Sequence, residues 1–165
     1  VTRHLATVAD TREFGRRLAG VLGPGDLVVL TGPLGAGKTV LVQGIGAGLG
    51  VTGAVTSPTF VIARVHRPDP ARGGRVPLVH VDAYRLGDVP DPLAEVDDLD
   101  LDASVDDSVT VVEWGSGLAE RLADGYLEVR IDRLDDDARR IELVPHGGTW
   151  ADRVTRLDRA ATAGG

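Results

Sequence analysis

The sequence has 165 residues, no cysteine, and a net charge of −7 from 18 basic and 25 acidic side chains. That acidity argues against an extended nonspecific nucleic-acid surface, and the missing thiols exclude disulfides, thiolate metal sites and cysteine catalysis. A hydrophobic content of 42% suits one globular domain, and with no apolar run near the ~18 residues of a membrane span and no signal-peptide h-region, the expected location is the cytoplasm.

Asp10 to Leu22 is expected to form the first helix, with Asp10 and Glu13 as a capping-box-like start and Phe14, Leu18, Val21 and Leu22 as its apolar stripe. Gly23-Pro24-Gly25 stops it. The strand-like run Leu27-Val28-Val29-Leu30-Thr31 follows and leads into Gly32. Gly32 to Thr39 then fit G-x-x-x-x-G-K-[ST] at every fixed position. Glycines let such a loop turn its backbone N–H groups inward on phosphate oxygens, and the helix that follows adds its N-terminal dipole. Gly32, Gly35, Ala36, Gly37, Lys38, Thr39 and Val40 are therefore the expected nucleotide contacts. Lys38 would reach the β- and γ-phosphates, and the Thr39 hydroxyl would ligate Mg²⁺. Lys38 is also the only lysine in the chain, which makes a chance match a poor explanation.

The helix after Thr39 carries Gly44, Gly46 and Gly48, expected to permit close packing on a sheet, and Gly50 is its stop signal. After Thr56-Ser57-Pro58-Thr59-Phe60, a strand is expected through Val61, Ile62, Ala63 and Val65. Arg67 to Arg75 reads as a flexible hairpin loop, whose Arg67, Arg72 and Arg75 are either solvated or meet an anionic partner. Val76 to Asp82 is a strand ending in an acid. The acidic stretch from Gly87 to Asp107 lacks the register of a calcium loop. It is read as short solvated helices turning Leu93, Val96, Leu99, Leu101 and Val105 inward. Val109 to Glu113 is a second apolar strand ending in an acid, followed by Trp114, either core filler or an anchor for a partner. Leu118 and Leu122 suggest a short helix. Tyr126 to Ile131 and Arg139 to Val144 alternate as a β-hairpin around Asp135-Asp136-Asp137. Trp150, Val154 and Leu157 suggest a terminal helix that frays from Ala160 onward. Residues 1–147 thus form one domain, and 148–165 a terminal helix and tail.

In open α/β sheets, ligands sit beyond the carboxyl ends of the strands. A nucleotide on the loop would face both Asp82 and Glu113. Phosphoryl transfer to water needs one carboxylate to hold Mg²⁺ and another group to orient the water, and the residues alone leave the division open. His80 lies two residues before Asp82 on the same strand face. A buried, hydrogen-bonded structural role is favoured for it over proton transfer. Guanine reading through N-K-x-D is disfavoured because the chain has no asparagine.

Four stretches together resemble the TsaE-type ATPases of bacterial tRNA threonylcarbamoyladenosine biosynthesis: Gly32 to Thr39, Ser57 to Phe60, His80-Val81-Asp82-Ala83-Tyr84-Arg85-Leu86, and Glu113-Trp114. The resemblance covers about Thr11 to Val144. It implies a single-domain α/β P-loop NTPase with a mixed, mostly parallel central sheet flanked by helices. It further implies ATP hydrolysis, weak alone and partner-dependent, with Thr39 and Glu113 on Mg²⁺, Asp82 supporting water activation and Lys38 on the phosphates. Arg139 would lie near the adenine. Ser57, Thr59, Tyr84, Arg85 and Trp114 become switch or partner residues. The implied partner is a pair of ASKHA-fold proteins that transfers threonylcarbamoyl to adenosine 37 of tRNA, with tRNA touched indirectly. Pro33 departs from the acid common in the family's loop, and the acidic run from Asp97 to Asp107 stands where the family tends to a Leu-Gly element. A small-molecule kinase is the rival reading, with Arg67 to Arg75 as its one candidate lid; a nucleotide-binding regulator is the other.

Overall fold

The computed structural model describes residues 1–33, 35–52, 63–82, 106–113 and 124–163. Among them the chain runs β1 (Thr2–Leu5), α1 (Val8–Ala19), β2 (Leu27–Thr31), α2 (Lys38–Leu49), β3 (Ala63–His66), β4 (Leu78–Asp82), β5 (Val109–Glu113), β6 (Tyr126–Arg133), β7 (Arg139–His146) and α3 (Trp150–Ala163). The strands make one mixed sheet ordered β1-β7-β6-β2-β5-β4-β3. The central pairings β6–β2, β2–β5 and β5–β4 are parallel, and the outer ones are antiparallel. All of β5 and the first four residues of β2 are buried, which is why both read as unbroken apolar runs rather than alternating ones. β6 alternates instead, burying Leu127, Val129 and Ile131, and α3 joins the same core through Trp150, Val154 and Leu157.

The two helices flanking the loop strand pack backbone to backbone. A Cβ on Gly44 would meet the Arg12 carbonyl at 2.0 Å, one on Gly48 the Arg16 carbonyl at 2.6 Å, and one on Gly15 the Leu41 carbonyl at 2.4 Å. Gly44 and Gly48 therefore serve contact with α1 and not, as expected, with the sheet. The α1 cap is also displaced from its expected place. Thr7 is the N-cap, its hydroxyl accepting from the Asp10 N–H at 3.1 Å while the Asp10 carboxylate accepts from the Thr7 N–H at 3.2 Å. Glu13 pairs with Arg16 one turn on, and α1 ends at Ala19, short of Leu22.

Three further elements differ from expectation. β1 was not anticipated; it lies antiparallel on β7, with Arg3 against Ile141. Arg67 to Arg75 joins β3 to β4 as a hairpin connection but is pinned, not loose. Thr52 N–H donates to the Arg67 carbonyl at 2.7 Å, Asp69 N–H to the Gly50 carbonyl at 2.8 Å, and Pro70–Arg72 form a 3₁₀ turn. α3 continues as helix through Ala163, held by ion pairs from Arg153 to Asp26 and from Arg3 to Asp158. The expected start of β3 at Val61 and Ile62, most of the acidic run, and the helix at Leu118 and Leu122 lie outside the described residues.

Candidate functional site

The parallel register brings the acids together. Asp82 stands opposite Glu113, and Glu113 opposite Leu30, so the carboxylates stand at the ends of the next two strands on one side of β2, level with the start of the loop. The loop leaves β2 at Gly32, where the chain passes so close to β6 that a Cβ would meet the Ile131 carbonyl at 2.3 Å. Gly37 then turns into α2 with φ of 99°, a left-handed conformation that glycine adopts without strain. The α2 N-terminus consequently opens at Lys38, with its positive dipole end at the loop.

Lys38 is buried to 7% exposure, and its ammonium donates to the Gly32 carbonyl at 2.8 Å. Burial pushes its pKa down, and the negative charges of Glu113 and then Asp82 push it back up in part. Lys38 is thus a buried cation within the field of two strand-end carboxylates. Thr39 follows on the first turn of α2, half-buried. Glu113 is buried, and its Oε2 lies 3.0 Å from Nε2 of His80, which has no exposure at all. The histidine is thus buried and hydrogen-bonded, as expected, and its partner is the strand-end acid Glu113.

Arg139 opens β7 beside the loop, its Nε donating to the Ala36 carbonyl at 2.7 Å. With Val8, Thr11, Gly37, Val40 and Asp137 it lines a small recess between the α1 start and the β6–β7 turn. Val8 and Thr11 went unnoticed in the sequence, where nothing marks that α1 begins against the loop. His66 was missed as well. It is buried at the end of β3, its pKa lowered by burial and by neighbouring His80, against a hydrogen bond with the Thr52 backbone. Ser57, Thr59, Tyr84, Arg85 and Trp114 lie outside the described residues.

The donor set is hard and sparse: one hydroxyl and two carboxylates. No group of three or more His, Asp or Glu among the described residues is placed to hold a metal unaided. Such a set suits Mg²⁺, which binds through one or two carboxylates together with a substrate's phosphates and keeps several waters. The described helices include none long and apolar enough to cross a membrane.

These features coincide with an established group of proteins. The sequence profile described as "Threonylcarbamoyl adenosine biosynthesis protein TsaE" matches residues 5–141. The chain is 57% identical over 144 residues to the tRNA threonylcarbamoyladenosine biosynthesis protein TsaE of Streptomyces coelicolor, covering 85% of this chain and 93% of that one. It is 35% identical over 151 residues to the protein of the same name from Bacillus subtilis, covering 91% and 89%. The crystal structure of Bacillus subtilis YdiB superposes with a TM-score of 0.76 at 28% identity, covering 98% of this chain and 95% of that one. With the phosphate loop and both strand-end acids inside the matched span, the chain belongs to the TsaE family.

Proposed function

We propose that the chain hydrolyses ATP to ADP and phosphate with Mg²⁺ and couples this cycle to tRNA threonylcarbamoyladenosine synthesis as an accessory subunit. The observation that carries the reading is Lys38, buried at the loop, tied to the Gly32 carbonyl and within the field of both acids. The relatives' shared name supports the pathway, and the partner remains the pair of ASKHA-fold proteins inferred from the family resemblance, with tRNA reached through them. The cytoplasm is the compartment this role requires.

In this mechanism the loop N–H groups and the Lys38 ammonium bind the β- and γ-phosphates. Lys38 gains most where negative charge builds on the transferring group. Thr39 and Glu113 would hold Mg²⁺, which when bound neutralises phosphate charge. Asp82 orients the attacking water and takes its proton as the water oxygen bonds to the γ-phosphorus and the bond to the bridging oxygen of ADP breaks. Arg139, bonded to the Ala36 carbonyl beside the loop, is the residue that would lie against the adenine, with its guanidinium plane as the stacking surface.

Pairing within Arg67 to Arg75 weakens the kinase reading. Arg72 pairs with Asp69, and the segment is bonded to the C-terminal end of α2, about 18 Å of helix from the loop. The test is phosphate release by the chain alone and then with the partner pair, in wild type and Lys38→Ala. Slow release alone, faster release with partners, and a loss on the order of 10²-fold in the variant are expected. Phosphate appearing on an acceptor molecule instead would overturn the reading.

A further inference from the structure

His80 sits on β4 with its side chain fully buried, flanked along β4 by Val79 and Val81 and facing Val111 on β5. Its register partner is Val111, so it reaches diagonally to Glu113, one side-chain step further along β5. A carboxylate that ligates a cation can only accept a hydrogen bond, so in a metal-binding Glu113 the proton of this contact is on Nε2 of His80. The other ring nitrogen, Nδ1, is buried and has no hydrogen-bond partner among the described residues. Among the described residues the ring's single hydrogen bond is therefore to one oxygen of a carboxylate at the candidate site. A valine at this position would suit the surrounding core better, because it would carry no polar atom to satisfy.

A glutamate at a strand end has rotatable torsions that an approaching ion must freeze. Fixing one oxygen in advance removes most of that freedom and leaves the remaining oxygen for the site. Ligating carboxylates are commonly held in this way by an outer hydrogen bond, and loss of that bond lowers metal affinity. We propose that His80 is a positioning residue, whose Nε2–H holds Oε2 of Glu113 so that the carboxylate is set for Mg²⁺ bound with the nucleotide. The inference rests on the metal role of Glu113 proposed above.

The test measures affinity for a non-hydrolysable ATP analogue by calorimetry, in Mg²⁺ and in EDTA, so that the metal's contribution is read as a ratio without turnover. His80→Leu fills the space without a donor. It should lose about 10-fold of the Mg²⁺ contribution while its affinity in EDTA stays within about 2-fold of wild type. His80→Gln places a side-chain N–H the same number of bonds from the backbone as Nε2 and should keep most of the contribution. His80→Asn is polar but too short; it should behave like His80→Leu, and it replaces that variant should leucine fail to fold. A full Mg²⁺ contribution in His80→Leu or His80→Asn overturns the proposal, as does an equal fall in EDTA. Glu113→Gln, run in parallel, separates the two ideas. If it loses the contribution while His80→Leu keeps it, only the positioning role fails. If it keeps the contribution, the metal assignment fails and the positioning role with it.

Discussion

Two histidine–glutamate pairs in this molecule have the same length and opposite settings. His80–Glu113 and His146–Glu128 both close at 3.0 Å. The first joins two central parallel strands, with side-chain exposures of 0% and 6%; the second joins the antiparallel strands β6 and β7, at 36% and 15%. Glu128 also accepts from Arg130 at 2.6 Å, and His146 stacks on Tyr126 with ring centroids 4.4 Å apart. Although burial opposes it, the hydrogen bonds from Arg130 and His146 hold the Glu128 pKa below its usual value. The outer pair is thus one of several contacts between groups that water can reach. Its loss can be made good. The central pair has no such reserve, so equal geometry carries unequal consequences.

The largest effect comes from breaking each pair at its acid. Glu113→Ala removes the proposed metal carboxylate and leaves the His80 N–H buried without an acceptor. Mg²⁺-dependent turnover should fall on the order of 10²-fold, and unfolding free energy by about 1–3 kcal/mol. Glu128→Ala exposes Arg130 and His146 to solvent; it should leave turnover unchanged and cost no more than about 1 kcal/mol. Phosphate release and urea denaturation, run on both variants, check the contrast. Equal effects in the two would remove the distinction between centre and edge.

The centre depends on packing as well as polarity, and Gly44 tests that dependence. Its missing side chain lets α2 rest on the Arg12 carbonyl, which seats the phosphate loop at the other end of the same helix. Gly44→Ala would gain helix propensity but force the helices apart. The net loss should be about 1–3 kcal/mol, read from the denaturation midpoint, accompanied by weaker nucleotide binding. Arg140→Ala on the outer hairpin breaks an exposed pair to Asp132 and should change the midpoint little. A neutral Gly44→Ala would mean that the helix pair is looser than the contacts imply.

What the sequence disclosed follows from which interactions are local. β2, β4 and β5 were legible because buried parallel strands are mostly apolar, without strict alternation, and two of them end in an acid. The loop was legible because its glycines and Lys38 answer to the backbone immediately around them. β1 was not, since Thr2-Arg3-His4-Leu5 has little apolar content and is strand-like only through pairing with residues 139–142 at the far end of the chain. The α1 cap was misread because Thr7 with Asp10 and Asp10 with Glu13 are similar patterns; in the structure Thr7 and Asp10 bond reciprocally while Glu13 is taken by Arg16. The contact of His80 with Glu113 spans 33 residues and depends on strand register, which no spacing rule supplies.

The smallest effect concerns the acid side of neutrality. His66 lies near His80 and Arg64, with Thr52 bonding to it from the backbone, and burial is the main reason its pKa lies below the usual histidine value. The unfolded chain therefore takes up a proton that the folded chain resists. The contribution of His66 to stability is fully present above pH ~6.5 and declines as pH falls below it toward the folded pKa, with a slope of at most about 1.4 kcal/mol per pH unit. Glu13, held down to about 2 by its hydrogen bond from Arg16, loses its contribution only as pH falls through its unfolded value of 4.5, and it does so equally in wild type and variant. His66→Gln should flatten the stability curve between roughly pH 5 and 6.5 relative to wild type, measured by urea denaturation at each pH. Parallel curves would show that water reaches His66 freely in the folded state. The central side of the sheet would then be wetter at that edge than its buried histidines imply, and closer in character to the outer hairpin.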